Sequence, residues 1–172
     1  MKRSTLIILA LIVIGVAWYL FRPERIFINQ TVNEEFPAGT SAESVKSGDS
    51  ATVLVSGNFH GVAHETKGVA TIYELPGGKK VLRFSEFETS NGPDVQVYLV
   101  AADDANDSET VTNAGFIHIG ALKGNIGDQN YDLPADVNLD KYKAVTVWCR
   151  RFGVNFGTAP LTLHQGMSSR VN

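Results

Sequence analysis

The chain has one cysteine, no basic patch and, beyond residue 21, no helical period sustained over three turns. Each shortage excludes something. A lone thiol, Cys149, cannot form an intramolecular disulfide, so it is either a small core residue or a chemical handle. Net charge is −3, and between Ala51 and His164 9 Lys/Arg stand against 13 Asp/Glu, a net of −4. Phosphate binding needs clustered cations, so no nucleic-acid partner is expected, and the same deficit argues against an anionic membrane surface binding the domain itself. No serine sits in an elbow sequence, no carboxylate pair marks a hydrolase site, and the glycines of Leu122–Tyr131 do not fit a phosphate-loop pattern. Hydrolysis is poorly supported.

What remains is a folded, strand-rich composition. Hydrophobic residues make up 44% and charged residues 19% of 172 positions, the balance of an ordered protein. The first fifty residues differ from the rest, leaving about 120 for one domain with a core of ordinary size.

Lys2-Arg3 precedes an apolar run from Leu6 to Phe21. Thr5 to Phe21 would give a helix roughly 25 Å long, just enough for a hydrocarbon core, with Trp18 and Tyr19 near its distal end where amphipathic rings favour the interface. That length favours an uncleaved membrane anchor over residues 1–21. The competing reading is a signal peptide cut near Gly15-Val16-Ala17, a passable small-x-small site. Arg22 and Arg25 oppose Lys2 and Arg3 in setting orientation, and the short charged tail favours residues 22–172 outside. Both readings place the domain outside the cytoplasm, on the periplasmic or extracellular face.

Residues 22–50 read as a stalk or linker, with Ile26-Phe27-Ile28 a short extended piece or apolar pad and Pro/Gly/Ser chemistry after Asn33. Asn29-Gln30-Thr31 and Asn106-Asp107-Ser108 fit the glycosylation acceptor pattern, relevant only in a eukaryotic secretory pathway. Residues 51–166 form the domain and 167–172 a tail. Strands are expected over Thr52–Gly57, Gly68–Tyr73, Lys80–Phe84, Asp94–Val100, Gly115–Gly120, Ala144–Cys149, Val154–Phe156 and Leu161–Leu163, with a tight reversal at Pro76–Lys79. Many short strands with frequent turns imply an all-β antiparallel sandwich or barrel-like domain.

Alternate residues of a strand share a face, so Val145, Val147 and Cys149 point one way and Thr146, Trp148 and Arg150 the other. That apolar side favours burial and an inert thiol, whereas Arg150 and Arg151 following directly would favour a thiolate. Both readings stay open. The histidines are His60, His64, His118 and His164; His60 and His64 are four apart but in a loop-like region, and no set of three or four zinc ligands is nominated. A blue-copper site wants a compact ligand loop, yet after Cys149 no histidine occurs until His164, with Met167 beyond it, so no metal is expected. Asn91-Gly92-Pro93-Asp94 is a turn signal in which Asp94 can accept hydrogen bonds and fix the loop.

Four sequence pieces in order resemble the DM-thirteen domain, a β-rich extracytoplasmic domain often found beside DOMON domains. They are Gly57-x-Phe59 with His64 and Gly68; Leu82-Arg83-Phe84 leading through Phe87 to Asn91-Gly92-Pro93-Asp94-Val95-x-Val97-Tyr98-Leu99; Leu122-Lys123-Gly124-Asn125-x-Gly127-x-Gln129-Asn130-Tyr131-x-Leu133-Pro134; and Val147-Trp148-Cys149-x-x-Phe152-x-Val154-x-Phe156-Gly157. The resemblance covers about Val53 to Leu163. It implies a redox or electron-transfer role at the cell surface, with Cys149 in the position of the family's cysteine, acting as a naked thiol or as a ligand to a prosthetic group. It leaves open either haem or no cofactor; His64 is the second residue nominated for cofactor binding. Lacking a DOMON-like companion, the chain would exchange electrons with an unidentified redox or cell-surface protein rather than act as a stand-alone enzyme. The rival reading is a non-catalytic binding or adhesion domain in which Cys149 only packs the core.

Overall fold

The computed structural model describes residues 3–21, 28–37 and 51–163. His164, Met167, the tail over 167–172 and most of the stalk expected over 22–50 lie outside them. The apolar run forms α1 (Arg3–Phe21), a helix apolar around its whole circumference, every described side chain of which is exposed. Its 19 residues amount to roughly 28 Å, slightly under a hydrocarbon core of about 30 Å. Among the described residues no helix is long and apolar enough to cross a membrane. The span expected over residues 1–21 is thus present as a helix, but its dimensions do not support a membrane crossing.

The domain is the expected antiparallel sandwich. One sheet runs in the order β10 (Thr162–Leu163), β1 (Thr52–Asn58), β3 (Lys67–Glu74), β4 (Lys80–Glu88), β7 (Gln129–Asp132). The facing sheet runs β2 (His60–Gly61), β9 (Val154–Pro160), β8 (Ala144–Cys149), β5 (Val95–Val100), β6 (Phe116–Ala121). Every strand pairing in both is antiparallel. The reversal between β3 and β4 closes through Leu75 N–H to Lys79 O at 2.8 Å, and it needs φ of +90° and +83° at Gly77 and Gly78. Only residues without a Cβ take two such values in succession cheaply.

The inner faces meet in one core built around Phe59, Phe84, Phe87 and Tyr131, whose ring centroids lie 4.9–5.3 Å apart. Each such buried ring contributes about 1.5–3 kcal/mol of transfer free energy. In β9 the extra residue Phe156 sits opposite the Val147–Trp148 step, and this bulge turns its ring into the core.

The central strands β5 and β8 are buried at all six positions. Sequence parity predicted two faces for them but not that both would be covered. The cover is the segment after β5, which carries α2 (Ser108–Ala114) and packs Ala105 and Val111 on Tyr98, Val100, Ala144 and Trp148. This helix was not expected. Its seven residues give only two turns, too few for a periodic signal, and it starts on a cap in which Asp107 Oδ1 accepts from Thr110 N–H at 2.6 Å. The short strands β2 and β7 were also not anticipated.

Residues 28–37 lie extended against the loop that precedes β7, with Thr31 bridged to Ile126. Their exposure alternates, Val32, Glu34 and Phe36 being half-buried and their neighbours exposed, as in a strand with one covered face.

Candidate functional site

Cys149 is the last residue of β8. The strand alternates as its sequence requires, so Val145, Val147 and Cys149 enter the core between the sheets while Thr146 and Trp148 point to the other side, where Trp148 packs in the cluster that includes Val111 of α2. Cys149 is 0% exposed. Its ladder partners are Val95 on β5 and Val154 on β9, and it shares its apolar cluster with Val95, Val97 and Phe156. Its sulfur has no hydrogen-bond partner among the described residues. The chain turns immediately afterwards, where Gly153 N–H donates to Cys149 O at 2.9 Å and Phe152 stands 68% exposed at the tip. The thiol is thus sealed, but at the strand end nearest an exposed turn.

The guanidinium that follows it is engaged elsewhere. Arg150 Nε donates to Asp94 Oδ2 at 2.9 Å, and Arg150 N–H to Asp94 O at 2.9 Å. Asp94 also accepts from Gln96 Nε2 at 2.7 Å, and Gln96 Oε1 lies 2.8 Å from His118 Nε2. Asp94 therefore fixes the loop by side-chain bonds as well as by its own carbonyl, and Arg150 is held on the opposite face from the sulfur.

The nominated histidines do not gather round the thiol. The half-buried ring of His64 rests on Phe156, centroids 4.0 Å apart, and no hydrogen bond joins it to Cys149 among the described residues. His60 Nε2 lies 3.0 Å from Asp104 Oδ2 across the outer face of the second sheet. No group of three or more His, Cys, Asp or Glu side chains converges among the described residues. A haem ligated by Cys149 would need an open slot at the sulfur with an imidazole or solvent opposite. Tightly interdigitated Val95, Val147, Val154 and Phe156 occupy the neighbourhood instead. The residues present do not fit haem there.

The reverse face of β8 and β5 carries an array that sequence reasoning missed. Tyr98 stacks on Phe116 at 4.3 Å, meets His118 edge-on at 5.5 Å and lies 6.4 Å from Trp148. Burial pushes the Tyr98 phenol above its ordinary range, outweighing the pull of Arg150. Asn155 is fully buried beside them; its Nδ2 donates to Ala105 O at 2.6 Å, and its Oδ1 has no partner among the described residues. The one signal available was Trp148 and Tyr98 sharing strand parity.

A family model described as Electron transfer DM13 matches residues 58–161, a span that contains Cys149, His64, the whole of the second sheet and β3, β4 and β7 of the first. No curated protein and no solved structure matches the chain.

Proposed function

Because the chain belongs to the electron transfer DM13 family, we propose that its β-sandwich is an electron-transfer module working through Cys149. In this reading Cys149 is a naked thiol, not a haem ligand, and it exchanges electrons with a redox partner protein. The observation that carries it is the position of Cys149: inside the matched span, sealed between the sheets, yet one residue from the exposed 150–153 turn. Full burial makes such a thiol gated, since a partner can reach the sulfur only while the end of the β8–β9 hairpin is open. Local openings of this kind occur with free energies below that of global unfolding and are most frequent near exposed turns. The apolar helix α1 is read as the membrane attachment and the domain as facing outside the cytoplasm, on the strength of the sequence pattern. His64 is a packing partner of Phe156 and takes no part in this scheme.

The rival reading, a non-catalytic binding domain with Cys149 as filler, is favoured by the complete burial of the sulfur and its lack of partners. Alkylation separates the two. The full chain in mild detergent is treated with a maleimide in the native state and in denaturant, and its unfolding rate is measured in parallel. A gated thiol reacts slower than the unfolded chain but faster than global unfolding allows, and Phe152→Gly accelerates it. Native alkylation no faster than global unfolding would sink the redox reading and leave the filler.

A further inference from the structure

The extended segment 28–37 is seated in a groove built to receive it. Its backbone pairs in parallel with the loop over 126–128: Val32 N–H donates to Ile126 O at 2.9 Å, Glu34 N–H to Asp128 O at 2.9 Å, and Ile126 N–H to Gln30 O at 3.3 Å. Its side chains are held individually. Lys123 Nζ reaches both Glu34 carboxylate oxygens at 2.7 and 2.9 Å, and Asn130 N–H donates to Glu34 Oε2 at 2.7 Å. Arg83 Nη1 donates to Glu34 O at 3.1 Å, and Asn130 Nδ2 to Glu35 O at 2.8 Å. Phe36 packs edge-on against Tyr73 with centroids 4.7 Å apart, and the Arg83 guanidinium lies over the same ring at 5.8 Å.

The receiving loop is fixed independently of what it holds. Gln129, fully buried, accepts from the N–H groups of Lys123 and Gly124 and from the Tyr131 hydroxyl, and donates to Gly124 O. Asp128 is tied to the Arg83 guanidinium and accepts from Glu86 N–H. Two glycines open the floor. A Cβ on Gly124 would stand 2.4 Å from Gln30 O, and one on Gly127, where φ is +100°, 2.2 Å from Val32 O. Any side chain at either position would push the segment off.

We propose that this groove is a peptide-recognition site for an extended acidic segment carrying a carboxylate and, two residues on, an aromatic ring, and that residues 28–37 are its resident ligand. The recognition is of the strand-addition kind: main-chain bonds give affinity, and the alternate side chains Val32, Glu34 and Phe36 give selectivity. Charge-assisted bonds from Lys123 and a backbone N–H fix the carboxylate, the strongest polar contact such a groove can offer. Burial raises the Glu34 carboxyl, but the bonds from Lys123 and Asn130 outweigh it and hold the group below the usual carboxylate range. Tethering gives the resident segment an effective concentration on the order of millimolar, so a partner segment of the same chemistry enters only when the resident one leaves.

The test uses a fluorescent synthetic peptide of residues 28–37 and the full chain in mild detergent. Wild type, whose groove is filled, is compared with Glu34→Ala/Phe36→Ala, whose own segment is weakened and whose fold is checked by circular dichroism. Anisotropy should show saturable binding to the double variant at least about tenfold tighter than to wild type, given the tether's advantage. A peptide carrying the same two alanines should not bind. If the double variant misfolds, Glu34→Gln keeps every backbone bond and removes only the carboxylate charge that faces Lys123, and it should still take up the peptide faster than wild type. Binding to neither protein, or equally to variant and wild type, overturns the proposal.

Discussion

Replacing Cys149 by serine and by alanine probes what the sulfur touches. The site is fully buried, apolar and without a hydrogen-bond partner among the described residues. Alanine removes one large atom from a packed core, which costs about 1 kcal/mol in lost transfer free energy plus a contribution from whatever void remains. Serine keeps the shape but brings a hydroxyl that finds neither donor nor acceptor, and a buried unpaired group of that kind costs about 1–3 kcal/mol. Wild type should therefore be the most stable and serine the least, although serine is the closer isostere. Urea denaturation resolves the order. With a slope of roughly 1–3 kcal/mol per molar for a domain of this size, the serine variant's midpoint should fall by about 1 M at constant slope. A serine variant as stable as alanine or wild type would refute the reasoning, because it would mean water or a polar group already reaches that position. The same result would reopen the haem fit.

Three further outcomes follow from other parts of the molecule. Glu34 is held below its ordinary carboxylate range, so its contribution to seating residues 28–37 is present above pH 4.5 and is lost as pH falls through the lowered folded value; amide exchange across the segment should rise on acidification below that pH before the sheets unfold, and unchanged exchange there would contradict the assignment. Gly127→Ala places a Cβ against Val32 O in a left-handed backbone. Such strain costs about 1–2 kcal/mol in itself, and the Val32 and Glu34 amides should lose protection while the core amides keep theirs. Burial pushes the Tyr131 phenol well above its usual 10.0. Stability is unaffected below that pH and falls as pH rises past it, so phenolate absorbance should show one tyrosine ionising only together with unfolding; a smooth native titration of every tyrosine would count against its burial.

Much of this fold was readable from pattern, because strands buried on one face announce themselves by alternation. Val95, Val97 and Leu99 face the core as their spacing requires, and so do Val145, Val147 and Cys149. The limit of the same signal lies in β8 itself. Ala-Val-Thr-Val-Trp-Cys has no polar face, because the segment carrying α2 covers the outer side, and parity alone cannot say what covers it. The pairing of 28–37 with 126–128 joins residues nearly a hundred positions apart through backbone bonds that leave no compositional trace. Only Gly124 and Gly127 pointed to it, and in sequence they resemble ordinary loop glycines. Arg150 shows a further gap: adjacency suggested a cation beside the thiol, whereas Asp94, brought in by β5, takes the guanidinium away.

The docking of residues 28–37 also sets the radius within which the domain can work. Were 22–50 a free spacer, its 29 residues could extend to about 100 Å. With 28–37 fastened to the sheet, only the six residues 22–27 separate α1 from the domain, a leash of about 20 Å at full stretch. If α1 is held at a surface, the sandwich then stays within about 20 Å of the point of attachment. Release of the segment would lengthen the leash several-fold without breaking a bond of the sandwich.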